Sequence, residues 1–516
     1  MKNGFLKHDP QDLSPQYLED LATGYWFSEV LFTAVEAGLF TLLAGGGMRA
    51  AEIAAALGFD PAGTERFLNA LCTLGLLGRN GDVFFNTRLS DTYLVGGREH
   101  YQGNSILWRK YLRESWRGLR ECLEAGGRVA YPPPEESGEN MRRRVEMYIR
   151  AMDDVAGTKV REILPVFEGV FGTGRILDVG AGSGAVAAGF LQCFPGLTAT
   201  LVDLPEVLEF AKGMLEERGL GGRFTCHPAN ILEPDALPEG PFELVILSNI
   251  VHAYSEREIA LLLSRAAGCL GAGGYLLVHD FFPEHRPEKA ALLDLNMLIN
   301  TYNGRVLSAG WVREELEARG LCCTEPVPLR TDTALVIAAR DAGALGRLRL
   351  APEQRLISRI RSLGFREVRS IPAAEVHVPD WVDLRCRYGC ENYGRPHCPP
   401  HTPPPEKTRA ALRDFSTALL LEGEPPARDF QRRVLAAERE AFRTGYYKAL
   451  AFWAGPCAFC PSCPESGPCR HPGEARPSME GCGIDVYETV RRAGLSLRTL
   501  QDRRDYVKYF ALLLLE

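Results

Sequence analysis

The sequence predicts a multi-domain chain with three parts. A helical segment ends in a small hairpin, an α/β segment carries a parallel sheet, and an α+β segment is rich in cysteine. Three observations lead there. The chain has 516 residues, enough for about three domains at ~150 residues each. Between residues 141 and 341, short apolar runs alternate with helical patterns, as in a sheet covered on both faces. Of the 15 cysteines, Cys386, Cys390, Cys398, Cys457, Cys460, Cys463, Cys469 and Cys482 all lie near the C-terminal end.

Composition narrows the class. Hydrophobic residues make up 46% and charged residues 24%, which excludes a largely disordered or fibrous chain. The net charge is −7, but from Leu345 onward basic residues outnumber acidic ones, 27 to 21. Bulk charge therefore does not point to a nucleic-acid partner. No apolar run reaches the ~18–20 residues of a membrane span. Residues 1–10 are polar and lack the apolar core of an export signal, so a cytoplasmic location is expected. Thiols stay reduced there, and clustered cysteines read as metal ligands more readily than as disulfides.

The first domain is expected over residues 1–128. Leu18, Leu21, Tyr25, Val30, Leu31, Val35, Leu39 and Leu42 recur at helical spacing. A short helix follows over 49–58, stopped by Gly58. Asp60 and Pro61 fit the N-cap and first position of another helix running to about Leu77. Asn80-Gly81-Asp82 is a hairpin-turn signal. Helices followed by a hairpin suggest a winged helix. Its proposed reading helix carries only Arg66 as a base, so DNA binding is not the favoured use.

The second domain is expected over 129–341. Strands are predicted at 175–179, 198–203, 242–247 and 274–280, with a closing antiparallel pair at 326–330 and 334–339. Within it, Ile176-Leu177-Asp178-Val179-Gly180-Ala181-Gly182-Ser183-Gly184 runs from a buried strand through a glycine-rich turn into a helix. Such a Rossmann-like loop lets a nucleotide approach the backbone at the carboxyl edge of the sheet. Asp203 ends the next strand, where a carboxylate can accept from both ribose hydroxyls. No lysine follows the glycines, which argues against an ATPase-type phosphate loop. S-adenosylmethionine is favoured over a dinucleotide, because no second nucleotide-binding half is visible.

Residues from about 14 to 340 resemble the S-adenosylmethionine-dependent O-methyltransferases of the hydroxyindole and caffeate type. The resemblance rests on Gly24-Tyr25-Trp26 through Glu36-Ala37-Gly38-Leu39-Phe40, on residues 71–77 and 81–90, on the loop from Asp178 to Gly184, and on Asp203-Leu204-Pro205. It implies a homodimer through the N-terminal helices, a winged-helix dimerisation domain and a methyltransferase sheet. It also implies roles. Asp178, Gly180, Gly182, Gly184, Asp203 and Leu204 would surround the cofactor. Asn230 and Ile231 would lie at the adenine, with the Asn230 amide oxygen accepting from the amino group. Ser248 takes the place of a family lysine and would keep only a hydroxyl contact.

By the same resemblance His252 is the catalytic base and Asp280 orients it. A neutral imidazole suits removal of a phenolic proton. The family's second supporting glutamate is replaced by Val306. Met152 stands where the family places a methionine near the reacting centre.

Residues 340–350 read as a linker, and 351–516 as the third domain. Helical patterns are predicted near 353–363, 407–414 and 430–444, and strands near 367–377, 417–421, 449–453 and 506–515, with the cysteines in loops. The spacing Cys457-x2-Cys460-x2-Cys463-x5-Cys469 is close to that of ferredoxin-like iron–sulfur ligands. Cys386, Cys390, Cys398 and Cys482 complete a set of eight. Eight thiolates suit two 4Fe–4S clusters, one cluster with one zinc, or two zinc ions. His397, His401 and His471 lie beside them as substitutes. The segment resembles a family of predicted metal-binding domains with no assigned reaction, through residues 386–390, 398–400 and 457–486.

The expected function is methyl transfer to a hydroxyl of a small aromatic or conjugated acceptor. One alternative is carbon methylation of a tetrapyrrole-like ring. Another is a non-enzymatic metal or redox sensor built on a degenerate methyltransferase fold.

Overall fold

The computed structural model describes residues 14–131, 137–350, 352–463, 469–502 and 504–516. It divides at Leu350/Ala351 into two compact units.

The first unit opens with helices Gln16–Thr23 and Tyr25–Glu36. Helices Ala50–Leu57 and Pro61–Thr73 follow. The Asp60 carboxylate caps the latter by accepting from the Gly63 N–H at 2.8 Å. Three short strands, β1 (Met48–Arg49), β2 (Leu77–Asn80) and β3 (Val83–Asn86), form an antiparallel sheet in the order β1-β3-β2. Ile53, Leu68, Leu71, Leu77 and Phe84 are buried beneath it.

Two longer helices, Gly103–Arg117 and Gly138–Ile163, lead into the second half of the unit. They are tied together at Asp154, whose carboxylate accepts from Asn104 Nδ2 and the Ser105 N–H, both at 3.1 Å.

The large sheet contains β4 (Thr173–Val179), β5 (Gly196–Asp203), β6 (Phe224–Pro228), β7 (Phe242–Ser248) and β8 (Leu270–Asp280). It is completed by β9 (Cys322–Cys323), β10 (Val327–Pro328) and β11 (Ala334–Ala339). The order is β10-β11-β8-β7-β4-β5-β6, with β9 also on β11. Strands β4 to β8 pair in parallel, and β11 is antiparallel to β8. Alternate residues feed two cores. Ile176, Leu201, Ile246 and Leu277 face one, and Leu177, Val202, Val245 and Val278 the other. Strand β4 has β5 on one side and β7 on the other. Its carboxyl end is therefore the switch point where α/β sheets place ligands.

Two expectations for this unit need correcting. Strand β6 was not anticipated, because its residues are only half-buried at the sheet edge and show little apolar alternation. The stretch 340–350 is not a free linker. Ala342–Leu345 forms a helical turn, and Ala344 and Leu348 are buried in the core.

The second unit holds an antiparallel sheet in the order β12-β13-β15-β14. Its strands are β12 (Glu367–Pro372), β13 (Thr417–Gly423), β14 (Leu450–Phe452) and β15 (Tyr509–Leu515). Leu419, Leu421, Ala511 and Leu513 pack under helices Pro352–Ser362 and Ala427–Arg443. Ala418, Leu420, Leu512 and Leu514 face the opposite core, with Met479, Cys482, Ile484 and Val490. The helices Trp381–Gly389 and Val486–Arg492 were not anticipated. Cys386 thus sits on a helix rather than in a loop, one turn beyond the buried Val382.

Candidate active site

The glycine loop leaves β4 with three positive φ angles, at Gly180 (69°), Gly182 (56°) and Gly184 (72°). A Cβ on Gly184 would stand 2.7 Å from Leu215 Cδ1, whereas one on Gly182 would meet nothing within 4 Å. Gly184 is therefore fixed by conformation and packing together, and Gly182 by conformation alone. The loop is held by the next strand, since Gly180 N–H and Ala181 N–H donate to the Val202 carbonyl at 2.8 and 3.2 Å.

Asp203, at the end of β5, accepts from the Gly182 N–H on Oδ2 and from the Leu204 N–H on Oδ1, both at 2.8 Å. Burial raises its pKa and these two donors pull it back. Asp178 is deeper: Oδ2 accepts from the Ala187 N–H at 3.2 Å, and burial pushes its pKa up to about 7. Leu204 is exposed just before the helix Pro205–Glu217. Asn230 Oδ1 accepts from the Leu232 N–H at 3.1 Å, leaving its second lone pair. The Ile231 side chain is buried in the sheet core. Ser248 Oγ lies 2.8 Å from His279 Nδ1, and His279 Nε2 lies 2.8 Å from Thr333 Oγ1. His279 is held neutral, since burial and nearby Lys159 push its pKa down to about 3.

His252 follows β7, in the turn Val251–Ala253. Its Nδ1 is 2.5 Å from Oδ1 of Asp280, the last residue of β8. Asp280 is 1% exposed. Its Oδ1 also accepts from the Phe281 N–H at 2.7 Å, and its Oδ2 from the Val251 and His252 N–H groups at 3.0 and 3.2 Å. An acceptor-only carboxylate there makes Nδ1 the protonated nitrogen and leaves Nε2 as a base. Val306 N–H donates to Asp294 Oδ1 at 2.7 Å. Asn249, beside the histidine turn, has φ +54° and a buried Oδ1 without a hydrogen-bond partner.

His252 lines a cavity of about 1340 Å³ with Met152, Trp108, Arg109, Tyr148, Phe281 and Asn296 among its walls. Trp108 stacks on Tyr111 with centroids 5.0 Å apart and meets Tyr148 edge-on at 5.3 Å. The crowded cavity wall and nearby Asp203 raise the Tyr148 pKa. Met152 was anticipated here. Arg109, Tyr148 and Asn296 were not, because their helices lie far from the glycine loop in sequence and carry no motif.

Comparison with known proteins agrees with this geometry. Residues 19–96 match the model of the O-methyltransferase dimerisation domain, and residues 125–323 that of the O-methyltransferase domain. A 3-hydroxy-5-methyl-1-naphthoate 3-O-methyltransferase of Streptomyces sahachiroi is 30% identical over 313 residues, covering 59% of this chain and 90% of the relative. The acetylserotonin O-methyltransferase of Bos taurus is 31% identical over 301 residues, 55% of this chain and 86% of its own. The chain belongs to the S-adenosylmethionine-dependent O-methyltransferases.

This O-methyltransferase also resembles the crystal structure of human N-acetylserotonin methyltransferase in complex with S-adenosylmethionine. The TM-score is 0.55 at 26% identity, covering 65% of this chain and 100% of the other. An O-methyltransferase family protein from Burkholderia thailandensis gives 0.54 at 27% identity, covering 64% and 99%.

The methyltransferase carries a second candidate site in its other unit, where residues 369–515 match a model described as a predicted metal-binding protein. All eight cysteines there are free thiols. Cys386 Sγ donates to the Glu480 carbonyl at 3.7 Å. Burial, with neighbouring Cys390, Glu480 and Cys398 adding, pushes the Cys386 thiol up to about 11. Cys482 is pushed up to about 12 by burial, with Glu480, Cys386 and Cys398 adding. Cys457 has Cys463, Cys469 and Cys460 as its thiol neighbours. Cys398 has both Cys390 and Cys463 among its neighbours, so the two ends of the thiol series adjoin. Cys482 belongs to the core on one sheet face, whereas Cys457 and Cys469 pack against the core on the other. His397 Nε2 and Glu480 Oε2 are buried without hydrogen-bond partners. His471 Nδ1 is 3.4 Å from Glu474. Among the described residues no three His, Cys, Asp or Glu side chains stand close enough to hold a metal ion in their present positions.

Proposed function

We propose that the first unit transfers a methyl group to a hydroxyl of a multi-ring aromatic acceptor, with His252 as the base and Asp280 as its support. The single observation that carries this reading is the pairing of His252 Nδ1 with the buried Asp280 carboxylate on the wall of a cavity large enough for such an acceptor. When bound, S-adenosylmethionine supplies an electrophilic methyl group on its sulfonium.

Asp178, the loop Gly180–Gly184, Asp203 and Leu204 frame the nucleoside end of that cofactor, with Asn230 and Ile231 at its base. Asp203 offers its remaining lone pairs to the ribose hydroxyls. His252 Nε2 takes the hydroxyl proton, and Asp280 stabilises the imidazolium that results. Trp108, Phe281 and Met152 wall in the acceptor and hold it for in-line attack. Ser248 serves through His279, since its hydroxyl is already engaged there. The naphthoate and acetylserotonin enzymes among its relatives support an aromatic acceptor.

The test is turnover. Purified protein with S-adenosylmethionine and a panel of hydroxylated two-ring and three-ring aromatics should release S-adenosylhomocysteine and a methyl ether seen by mass spectrometry. His252→Gln should slow the release of both by about 10²–10⁴-fold. Methylation at carbon or nitrogen, or undiminished turnover by the variant, overturns the assignment.

The functional form is a homodimer through the N-terminal helices. Leu18, Leu21, Tyr25 and Trp26 stand exposed there, although large apolar side chains normally find cover.

In the second unit, Cys386, Cys390, Cys398 and Cys482 form one metal site and Cys457, Cys460, Cys463 and Cys469 another. Each is a 4Fe–4S centre, with zinc as the rival occupant. Cys386 has Cys390 and Cys398 as thiol neighbours and Cys457 has Cys463, Cys469 and Cys460, which supports the partition, although Cys398 and Cys463 adjoin across it. Iron, sulfide and zinc counts on anaerobically purified protein decide the occupant.

A further inference from the structure

The cavity wall carries more cations than anions, and Lys110, Arg113, Arg128, Lys159 and Lys289 each have a neighbouring group as partner. Lys110 pairs with Glu36 at 2.5 Å, Arg113 pairs with Glu29 and Glu114, and Lys159 pairs with Asp332. Lys289 lies 3.9 Å from Asp332. Arg128 donates to the carbonyls of Ala130 and Asn300 and lies over the Tyr131 ring.

Arg109 differs. Among the described residues its side chain makes no hydrogen bond and no ion pair, and it is exposed while lining the cavity. Its surroundings nevertheless withdraw water from it. Desolvation lowers its pKa, offset in part by more distant Asp332 and Tyr148. A guanidinium in that position has five donors that only solvent or a ligand in the cavity can take. Its planar fork matches a carboxylate. The flanking Trp108–Tyr111 stack and the edge of Tyr148 provide flat apolar surface beside it.

We infer that the methyl acceptor is an aromatic acid whose carboxylate pairs with Arg109 while its ring lies along Trp108 and Tyr148. This rests on the O-methyl-transfer reading above for the position of the acceptor. Arg109 is then a specificity-determining residue. It takes no proton and touches no reacting atom. It selects anionic over neutral acceptors and sets which hydroxyl of the ring system reaches His252.

The test is binding, which needs no turnover. Full-length protein saturated with S-adenosylhomocysteine is titrated calorimetrically with 1-naphthoate and with 1-naphthamide, its neutral isostere. Wild type should bind the naphthoate roughly ten-fold or more tightly, as expected for a charge-assisted pair. Arg109→Gln should erase that preference, and Arg109→Lys should keep part of it. S-adenosylmethionine affinity should be the same in all three.

Equal binding of the two ligands, or no binding of either, overturns the inference. So does a fall in S-adenosylmethionine affinity in Arg109→Gln, which would place Arg109 on the cofactor's own carboxylate. Failure of methyl transfer is a separate result. It would appear as absent methyl ether across the turnover panel, whatever the calorimetry gives.

Discussion

His252 Nδ1 and Asp280 Oδ1 stand 2.5 Å apart at the ends of two neighbouring parallel strands. The carboxylate also accepts from three backbone N–H groups. The pair is therefore built into the sheet rather than attached to a loose loop. The same carboxylate fixes the turn and the ring tautomer. A second carboxylate at the Val306 position is not needed to orient the ring.

Removing the base should separate chemistry from binding. His252→Gln should lower kcat by about 10²–10⁴-fold, with S-adenosylmethionine binding unchanged by calorimetry. Asp280→Asn puts an amide N–H₂ among backbone donors. It should lose turnover and also cost about 1–3 kcal/mol of stability, read by urea denaturation.

Asp203 holds the loop and faces the cofactor. An asparagine can keep only one of its two backbone acceptances, at Gly182 or at Leu204. Asp203→Asn should weaken S-adenosylmethionine binding by roughly ten-fold or more. Unchanged affinity would remove Asp203 from the cofactor site.

The loop glycines should differ in sensitivity. Gly184→Ala adds a methyl 2.7 Å from Leu215 at φ +72°, whereas Gly182→Ala adds one in open space at φ +56°. Strain and overpacking together should cost Gly184→Ala about 1–3 kcal/mol more than Gly182→Ala. Thermal denaturation of the two variants compares them directly.

Acidification should destabilise the first unit through His279. Its folded pKa, about 3, lies below the ordinary value of 6.5. The unfolded chain therefore binds the extra proton first. Stability from this group is fully present above about pH 6.5 and falls as the pH drops towards 3, by up to about 1.4 kcal/mol per pH unit. Because Asp178, pushed up to about 7, contributes with the opposite sign in the same range, the slope is read as the stability difference between wild type and His279→Gln by urea denaturation at pH 7, 6 and 5.

The two cysteine sets should load independently. Cys398→Ser should lose the metal of its own set and retain that of the Cys457 set, and Cys460→Ser should do the reverse. Metal counts on both variants test this. Loss of all metal from either one would mean a single shared centre.

Much of the first unit was legible in the sequence because its signals are local. Strand β4, the glycine turn and Asp203 occur within about thirty residues, and each obeys a rule of backbone geometry. Asp60 capping its helix and the closing strand β11 are of the same kind. Strand β6 was not legible, because an edge strand buries too little to impose alternation. The 340–350 stretch looked like a linker because its small residues give no pattern, yet Ala344 and Leu348 are buried.

By itself the sequence determined the order of the parts, the glycine-rich loop, the histidine that follows β7 and the presence of eight clustered thiols. These depend on spacing, and spacing survives in one dimension. Only the tertiary structure decided which groups stand together. It set the distance and the atoms through which Asp280, expected beside His252 by resemblance, meets it from a separate strand. It brought Arg109, Tyr148 and Asn296 to one cavity, and it put Cys482 in the core on one face of a sheet and Cys457 and Cys469 against the core on the other. Contacts of that kind arise because sheet order and helix packing set distance in space independently of distance along the chain.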